Sequence, residues 1–308
     1  MSNDLILGID IGGSHITAGL VDMGHRKVIE DTVIRNKVNR HGTADEILEA
    51  WSNTIKPFQQ KSENKSTRIG FAMPGPFDYE KGICLIKGFD KYESLYGIDI
   101  RAALAERLDL SPGDILFRND AEAFLEGEIF CGAAVNFNHA IGITLGTGLG
   151  SAVSHNGITK DAELSVLDYY GEKIEEWVST RGLIRIYKAI TGKTVNDALT
   201  IAELYHSDAN AREAFKIFTH RLSWFLQKFI IRESPEVLVI GGNIANSYEL
   251  FIGELERHLS ANGISMIKIC RATLGENAAL IGGACKFITA QNNKVPIVTS
   301  PIINKKTA

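Results

Sequence analysis

Two glycine turns, one in each half of the chain, limit most strongly what it can fold into: GIDIGGS at 8–14 and LGTGLGS at 145–151. Each lies between short apolar runs, LILGI at 5–9 with ITAGLV at 16–21, and HAIGITL at 139–145 with SAVS at 151–154. This pattern predicts a β-hairpin with a glycine-rich tip in each place, and its recurrence implies a duplicated α/β scaffold. Glycine tolerates positive φ and lets backbone N–H groups come close to phosphate oxygens. The first turn offers Gly12, Gly13 and Ser14, with Asp10 at the strand end, where a carboxylate can hold Mg²⁺ directly or through water. The second offers Gly146, Thr147 and Gly148, plus the hydroxyl of Ser151. It is not a Walker loop, because the Gly-Lys-Ser/Thr ending is absent, and no helix follows as in a dinucleotide fingerprint. An ordinary tight hairpin is the alternative reading of either turn alone.

Two further segments carry chemistry. LVIGGN at 238–243 reads as a buried strand ending in Gly241 and Gly242, where a flat adenine or ribose can lie against bare backbone; a plain strand-to-helix loop is the alternative. FRNDAEAFLEGE at 117–128 reads as a strand delivering Asn119 and Asp120 to a helix that begins near Ala121. Asp is a common N-cap, yet the neighbouring Asn supplies a donor and an acceptor suited to a sugar diol.

The 308 residues, 44% of them hydrophobic, suffice for two domains with separate cores. With 33 Lys and Arg against 37 Asp and Glu and no basic run, nucleic acid is not an expected partner. The N-terminus has no signal-peptide pattern, and no stretch approaches the roughly 20 apolar residues of a membrane span, so a soluble cytoplasmic protein is expected. Cys84, Cys131, Cys270 and Cys285 are scattered and read as core thiols. A charged stretch with helical spacing follows residue 22. The spacing of Ile47, Leu48, Trp51 and Ile55 predicts an amphipathic helix over 44–60 that ends near Pro57. Beyond it we expect a strand at 68–73 with the turn PGPFD at 74–78, and a helix at 99–110 leading to a strand at 114–118. In the second half we expect helices at 171–190 and 209–233, strands at 236–240 and 266–271, and a last helix from Glu276. The tail at 292–308, with Lys305 and Lys306, reads as poorly packed.

The order GIDIGGS, PGPFD, NDAEA with GE, GITLGTGLGSA, LVIGGNI, LGENAALIGGA resembles the ROK sugar kinases of the hexokinase and actin-like ATPase superfamily, from residue 5 to about 288. The resemblance implies an α/β protein with a two-domain, actin-like (ribonuclease H-like) fold of βββαβαβα-type halves. The expected domains are 1–118 with a C-terminal segment of about 289–308, and 119–288, with ATP and sugar in the cleft between them. It implies Asp120 as catalytic base, with Asn119, Asp120, Glu163, Gly75 and Ser165 at the sugar. Asp10, Gly12, Gly13 and Ser14, then Gly146, Thr147 and Gly148, would hold Mg²⁺ and phosphates, and adenosine would lie at Gly241 and Gly242. Typical members follow the second turn with Gly-Glu-Ile-Gly-His and a cysteine-rich zinc loop. Here DAELSVLDYYGEKIEEWVSTRG stands at 161–182, with Glu163 in the sugar-binding glutamate's place, Ser165 in the histidine's and no zinc cysteines. The segment is most similar to the zinc-free branch that includes polyphosphate-using glucokinases, so no structural zinc is expected. At 87–92, KGFDKY replaces an Asn and Trp of many relatives, leaving Lys87 and Asp90 as substitutes for their contacts.

Other residues carry blander expectations. His15 reads as a hairpin-face histidine, and His139, His155 and His220 show no metal-ligand spacing with one another. Trp224, Phe225 and Phe229 read as core or subunit interface, and Glu175, Glu176 and Arg181 as surface pairs on one helix. The apolar positions of 209–233 suit a homodimer. The chief alternative is a sugar or nucleotide sensor without catalysis; a repressor would need a DNA-binding domain ahead of residue 8, and a superfamily ATPase would not need the Asn119–Asp120 strand end.

Overall fold

The computed structural model describes residues 5–60 and 68–292, so the segment 293–308 lies outside the described residues. Each half is built the same way. In the first, β1 (Leu5–Ile11) and β2 (His15–Asp22) form the expected antiparallel hairpin, and β3 (Lys27–Val28) and β4 (Ile34–Lys37) both pair with β2. Helix α1 (Ala44–Gln60) then crosses to β5 (Ile69–Met73), parallel to β1. After a small ribbon of β6 (Phe77–Asp78) and β7 (Ile83–Cys84), α2 (Ile100–Leu108) leads to β8 (Ile115–Asn119), parallel to β5, and α3 (Asp120–Cys131) follows directly.

The second half repeats this with β9 (His139–Leu145), β10 (Leu149–His155) and β11 (Ile158–Asp161) as an antiparallel meander. It continues through a ribbon of β12 (Asp168–Tyr169) and β13 (Glu172–Lys173), then α4 (Thr180–Thr191), α5 (Ala198–Glu203) and α6 (Ala209–Glu233). β14 (Val237–Gly241) lies parallel to β9, α7 (Ile252–Ala261) leads to β15 (Lys268–Arg271), and α8 (Asn277–Asn292) closes the described chain. The strand orders, β3-β2-β1-β5-β8 and β11-β10-β9-β14-β15, correspond strand for strand, with β4 an addition to the first sheet. The duplicated scaffold expected from the two hairpins is therefore present.

Parallel neighbours need long crossovers, and the helices that supply them cover the sheet faces. The middle parallel strands, IGFAM in β5 and VLVIG in β14, are accordingly buried at every position. Trp51, Ile47 and Ile55 of α1 pack with Leu7, Phe71 and Phe117 in the first core. In the second, α6 turns Phe215, Phe218, Leu222, Phe225 and Phe229 toward Ile141 and Ile240, at the spacing of one helical face.

The halves meet where α3 crosses α8. A Cβ on Gly282 would stand 1.8 Å from the carbonyl oxygen of Ala123, and one on Gly127 would stand 2.2 Å from that of Ala278. Only glycine lets the two helices approach so closely. Glu128, fully buried, completes the junction by accepting the N–H groups of Ala133 (2.7 Å), Thr273 (3.0 Å) and Leu274 (2.9 Å). α8 also lies against β1 and β5, since Gly8 faces Leu280 and Gly70 faces Gly283.

Local readings fail where short-range pattern and chain geometry diverge. β3 and β4 occupy the charged stretch that reads as helical, because exposed edge strands can be polar on both faces. α1 runs through Pro57 to Gln60; the carbonyl that loses its partner belongs to exposed Asn53 near the helix end, where water can replace the N–H. No single helix spans 171–190. Tyr170 and Gly171, both at positive φ, turn β12 into β13, and α4 starts only at Thr180. Among the cysteines, Cys84 and Cys285 are buried, whereas Cys131 and Cys270 are half-buried. No helix among the described residues is long and apolar enough to cross a membrane.

Candidate functional site

A cleft of about 1240 Å³ opens where the carboxyl ends of the parallel strands of both sheets converge, the place where open α/β sheets leave loops free to bind ligands. From the first sheet come Asp10 and the turn Gly12–Gly13–Ser14 after β1, Gly75 after β5, and Asn119 with Asp120 at the end of β8. From the second come Thr147 and Gly148 after β9, Gly241 and Gly242 at β14, and Glu163 and Ser165 after β11. Of the residues the sequence singles out for the site, Gly146 and Lys87 do not line it. At Gly146 the backbone explains this. Its N–H is turned inward to the Gly148 carbonyl (3.0 Å), and its own carbonyl accepts from Thr180 (2.8 Å).

Asn119, not Asp120, caps α3. The Asn119 Oδ1 accepts from the backbone N–H groups of Ala121 (2.8 Å) and Glu122 (3.1 Å), and its Nδ2 donates to the Tyr79 hydroxyl at 3.2 Å. The acceptor expected to meet a sugar is thus engaged in the helix cap, and one Nδ2 hydrogen remains for a ligand. Asp120 is left exposed at the first turn of α3, where among the described residues its Oδ1 accepts only the N–H of Ala121 (2.9 Å).

The first glycine turn is closed by the Gly12 N–H to the His15 carbonyl (2.9 Å) and propped from below by the buried Tyr92, whose hydroxyl donates to the Gly12 carbonyl at 2.7 Å. Tyr92 ends the KGFDKY segment, where only Lys87 and Asp90 stood out in sequence. Asp90 does line the cleft, 3.6 Å from Arg40, but Lys87 does not and lies over the ring of Tyr96. His15 accepts or donates at Nδ1 to the Ser14 hydroxyl (2.9 Å).

At the second turn the Leu149 N–H donates to Glu175 (3.0 Å), and that carboxylate occupies the space a Gly148 Cβ would fill. Arg181 joins Glu175 (3.1 Å) and Glu176 (2.9 Å). These residues are not surface pairs on one helix: the glutamates lie in a 3₁₀ turn, Arg181 lies in α4, and Glu175 and Arg181 face the cleft.

Negative and positive groups divide the cleft. Burial, with Asp120 and Glu276 nearby and Arg35 opposing, pushes the Asp10 carboxyl from an ordinary 3.8 up to about 7. Burial also raises Asp161, partly offset by the Glu163 N–H it accepts (2.8 Å) and reinforced by Asp120 and Glu163. Asp161 and the cations Arg40, Lys173 and Arg271 line the cleft without having stood out in sequence, and Arg181, read there as a surface partner, joins them. No motif connects them; the strand ends bring them together.

The histidines need a correction. His139 and His155, sixteen positions apart, are opposite each other in the β9–β10 register, and with Glu233 they form the one group among the described residues close enough to share a metal ion. They lie at the other end of β9 from the glycine turn.

A sequence model of the ROK family matches residues 6–161 and 171–290. The chain belongs to the ROK family. An N-acetyl-D-glucosamine kinase of Mannheimia succiniciproducens is 24% identical, covering 92% of this chain and 100% of its own length. The ROK hexokinase of Thermus thermophilus has the same fold, with a TM-score of 0.77 at 21% identity over 94% of this chain and 99% of that one. A ROK family glucokinase from Streptomyces griseus, solved with glucose and AMPPNP, gives a TM-score of 0.72 at 20% identity over 91% of this chain and 98% of that one. The ROK fold thus accounts for both sheets and for the cleft between them.

Proposed function

We propose that this ROK protein is an ATP- and magnesium-dependent sugar kinase that phosphorylates a hexose, at its C6 hydroxyl. Glucose is the first candidate acceptor, followed by N-acetylmannosamine, N-acetylglucosamine, mannose and fructose. The observation that carries the proposal is the position of Asp120, an exposed carboxylate on a capped helix start, in a cleft that also receives two glycine turns of different chemistry. The glucokinase solved with glucose and AMPPNP shares this fold and supports the pairing of sugar with nucleotide.

Phosphoryl transfer asks a protein chiefly for positioning and charge stabilisation. Asp120 accepts the proton of the attacking hydroxyl, while Glu163, Ser165, Gly75 and the free Asn119 N–H hold the sugar ring. Gly12, its own N–H spent on closing the turn, shapes it so that the Gly13 N–H faces the cleft; that group, the Gly148 N–H and the hydroxyls of Ser14 and Thr147 receive phosphate oxygens, and Gly241 and Gly242 leave room for adenosine. Asp10, raised by burial and by the neighbouring Asp120 and Glu276, suits a divalent cation as its protein ligand, directly or through water. Bound magnesium supplies neutralisation of phosphate charge. Closure of the halves about the α3–α8 crossing would exclude water, which otherwise competes as acceptor.

The test is ADP release from Mg²⁺-ATP across a panel of hexoses, amino sugars and N-acetylated sugars. Strong stimulation by one sugar supports the proposal and names the acceptor. ATP turnover indifferent to every sugar, with nucleotide still bound, would replace the kinase with the sensor reading.

A further inference from the structure

We propose that His139, His155 and Glu233 form a binding site for a divalent transition-metal ion, zinc first, remote from the cleft and unrelated to the magnesium of the phosphoryl-transfer site. One ligand atom from each of the three side chains lies within 4.8 Å of the other two. The histidines face each other across β9 and β10, with ring centroids 3.4 Å apart. The Asn156 N–H to Asn138 carbonyl bond (2.7 Å) marks the adjoining pair as the hydrogen-bonded one. His139 and His155 are therefore the non-bonded pair, whose side chains stand closest in an antiparallel ladder.

The His139 Nε2 is buried and has no hydrogen-bond partner among the described residues. An unpaired buried polar atom is costly, and a metal at the pair would satisfy it. Glu233 ends α6, where the backbone carbonyls favour a cation. One Glu233 oxygen receives the Arg232 Nε at 2.6 Å, and the other is free to turn toward the rings.

Two imidazoles and one carboxylate with a fourth position for water make a donor set that zinc accepts and magnesium, which prefers oxygen, does not. At about 3.3 Å per residue, the seven residues of β9 place the pair roughly 20 Å from the second glycine turn. The ion would tie the root of that hairpin to the end of α6, so its effect is on the stability of the second half and not on the reaction.

The experiment is calorimetric titration of the chelator-stripped full-length protein with Zn²⁺ alone, with and without excess Mg²⁺. We expect one ion per chain, unaffected by Mg²⁺. Affinity should fall at least tenfold in His155→Ala, whose site is exposed and tolerant, and in Glu233→Gln. Co²⁺ in the same site should give the visible absorption of a four-coordinate ion and lose it in His155→Ala. Failure to bind zinc, or the same stoichiometry and affinity in His155→Ala and His139→Ala, overturns the assignment. In the second case the zinc would belong to other side chains, such as the half-buried Cys131 or Cys270.

Discussion

The two glycine hairpins have the same backbone plan and different surroundings. Behind the first, Tyr92 reaches from the 87–92 segment to hold the Gly12 carbonyl, and Asp10 is set deep among other acids. Behind the second, Glu175 takes up the Leu149 N–H beside Gly148 and is itself paired with Arg181. One turn thus has a buried carboxylate beside it, and the other lies against an acid–base pair. A duplicated scaffold presents two different surroundings because the side chains that back each turn come from unrelated segments.

The largest test of this division is Asp120→Asn. It should lower sugar-dependent turnover by about 10²–10⁴-fold while leaving nucleotide affinity near normal, read by ADP release and by nucleotide titration. Near-normal turnover would remove Asp120 from proton acceptance and leave the two turns as a binding site only.

The second test separates the turns by pH. Asp10 has a folded pKa near 7 against an ordinary 3.8. In the absence of a cation, its contribution to stability is complete below the ordinary value and is lost as pH rises through about 7. A divalent cation must displace that proton, so its affinity should drop by up to about tenfold per unit as pH falls below about 7. Titrating Mg²⁺ in the presence of ATP at a series of pH values checks this. Asp10→Asn should bind weakly and show no such slope, and a flat profile in the native protein would take the cation away from the first turn.

The shared platform is addressed by Gly282→Val. Its side chain meets the backbone of Ala123, so α3 and α8 must separate, at a cost of about 1–3 kcal/mol or more. Chemical denaturation should show the midpoint falling. Gly148→Ala is the counterpart, because the added methyl meets only the movable end of Glu175 and should change nucleotide affinity more than stability. Smallest is Tyr92→Phe, which removes one hydrogen bond worth about 1 kcal/mol. It should weaken phosphate binding modestly, seen as a raised KM for ATP. If Gly148→Ala and Tyr92→Phe affect ATP and Mg²⁺ identically, the two turns do not differ as described.

Much of this was legible from local pattern. Trp51, Ile55 and Phe229 repeat at helical spacing, and β5 and β14 are short apolar runs between turn residues, so their elements are readable without tertiary information. Asn119 and Asp120 were visible as a polar pair at a strand end, but which of them caps the helix depends on backbone angles. Arg40, Asp161 and Arg181 belong to no motif. Their place in the cleft depends on how far the loops after separate strands reach, which no spacing in the chain encodes.

By itself, the sequence determined the repeated hairpin, the two apolar cores and the residues of the glycine turns, because side-chain periodicity and glycine's conformational range act over a few residues. The tertiary structure decided what stands behind each turn, that α3 and α8 cross on bare backbone, and that His139 meets His155. Those contacts join segments far apart in the chain, and strand register and helix packing select them.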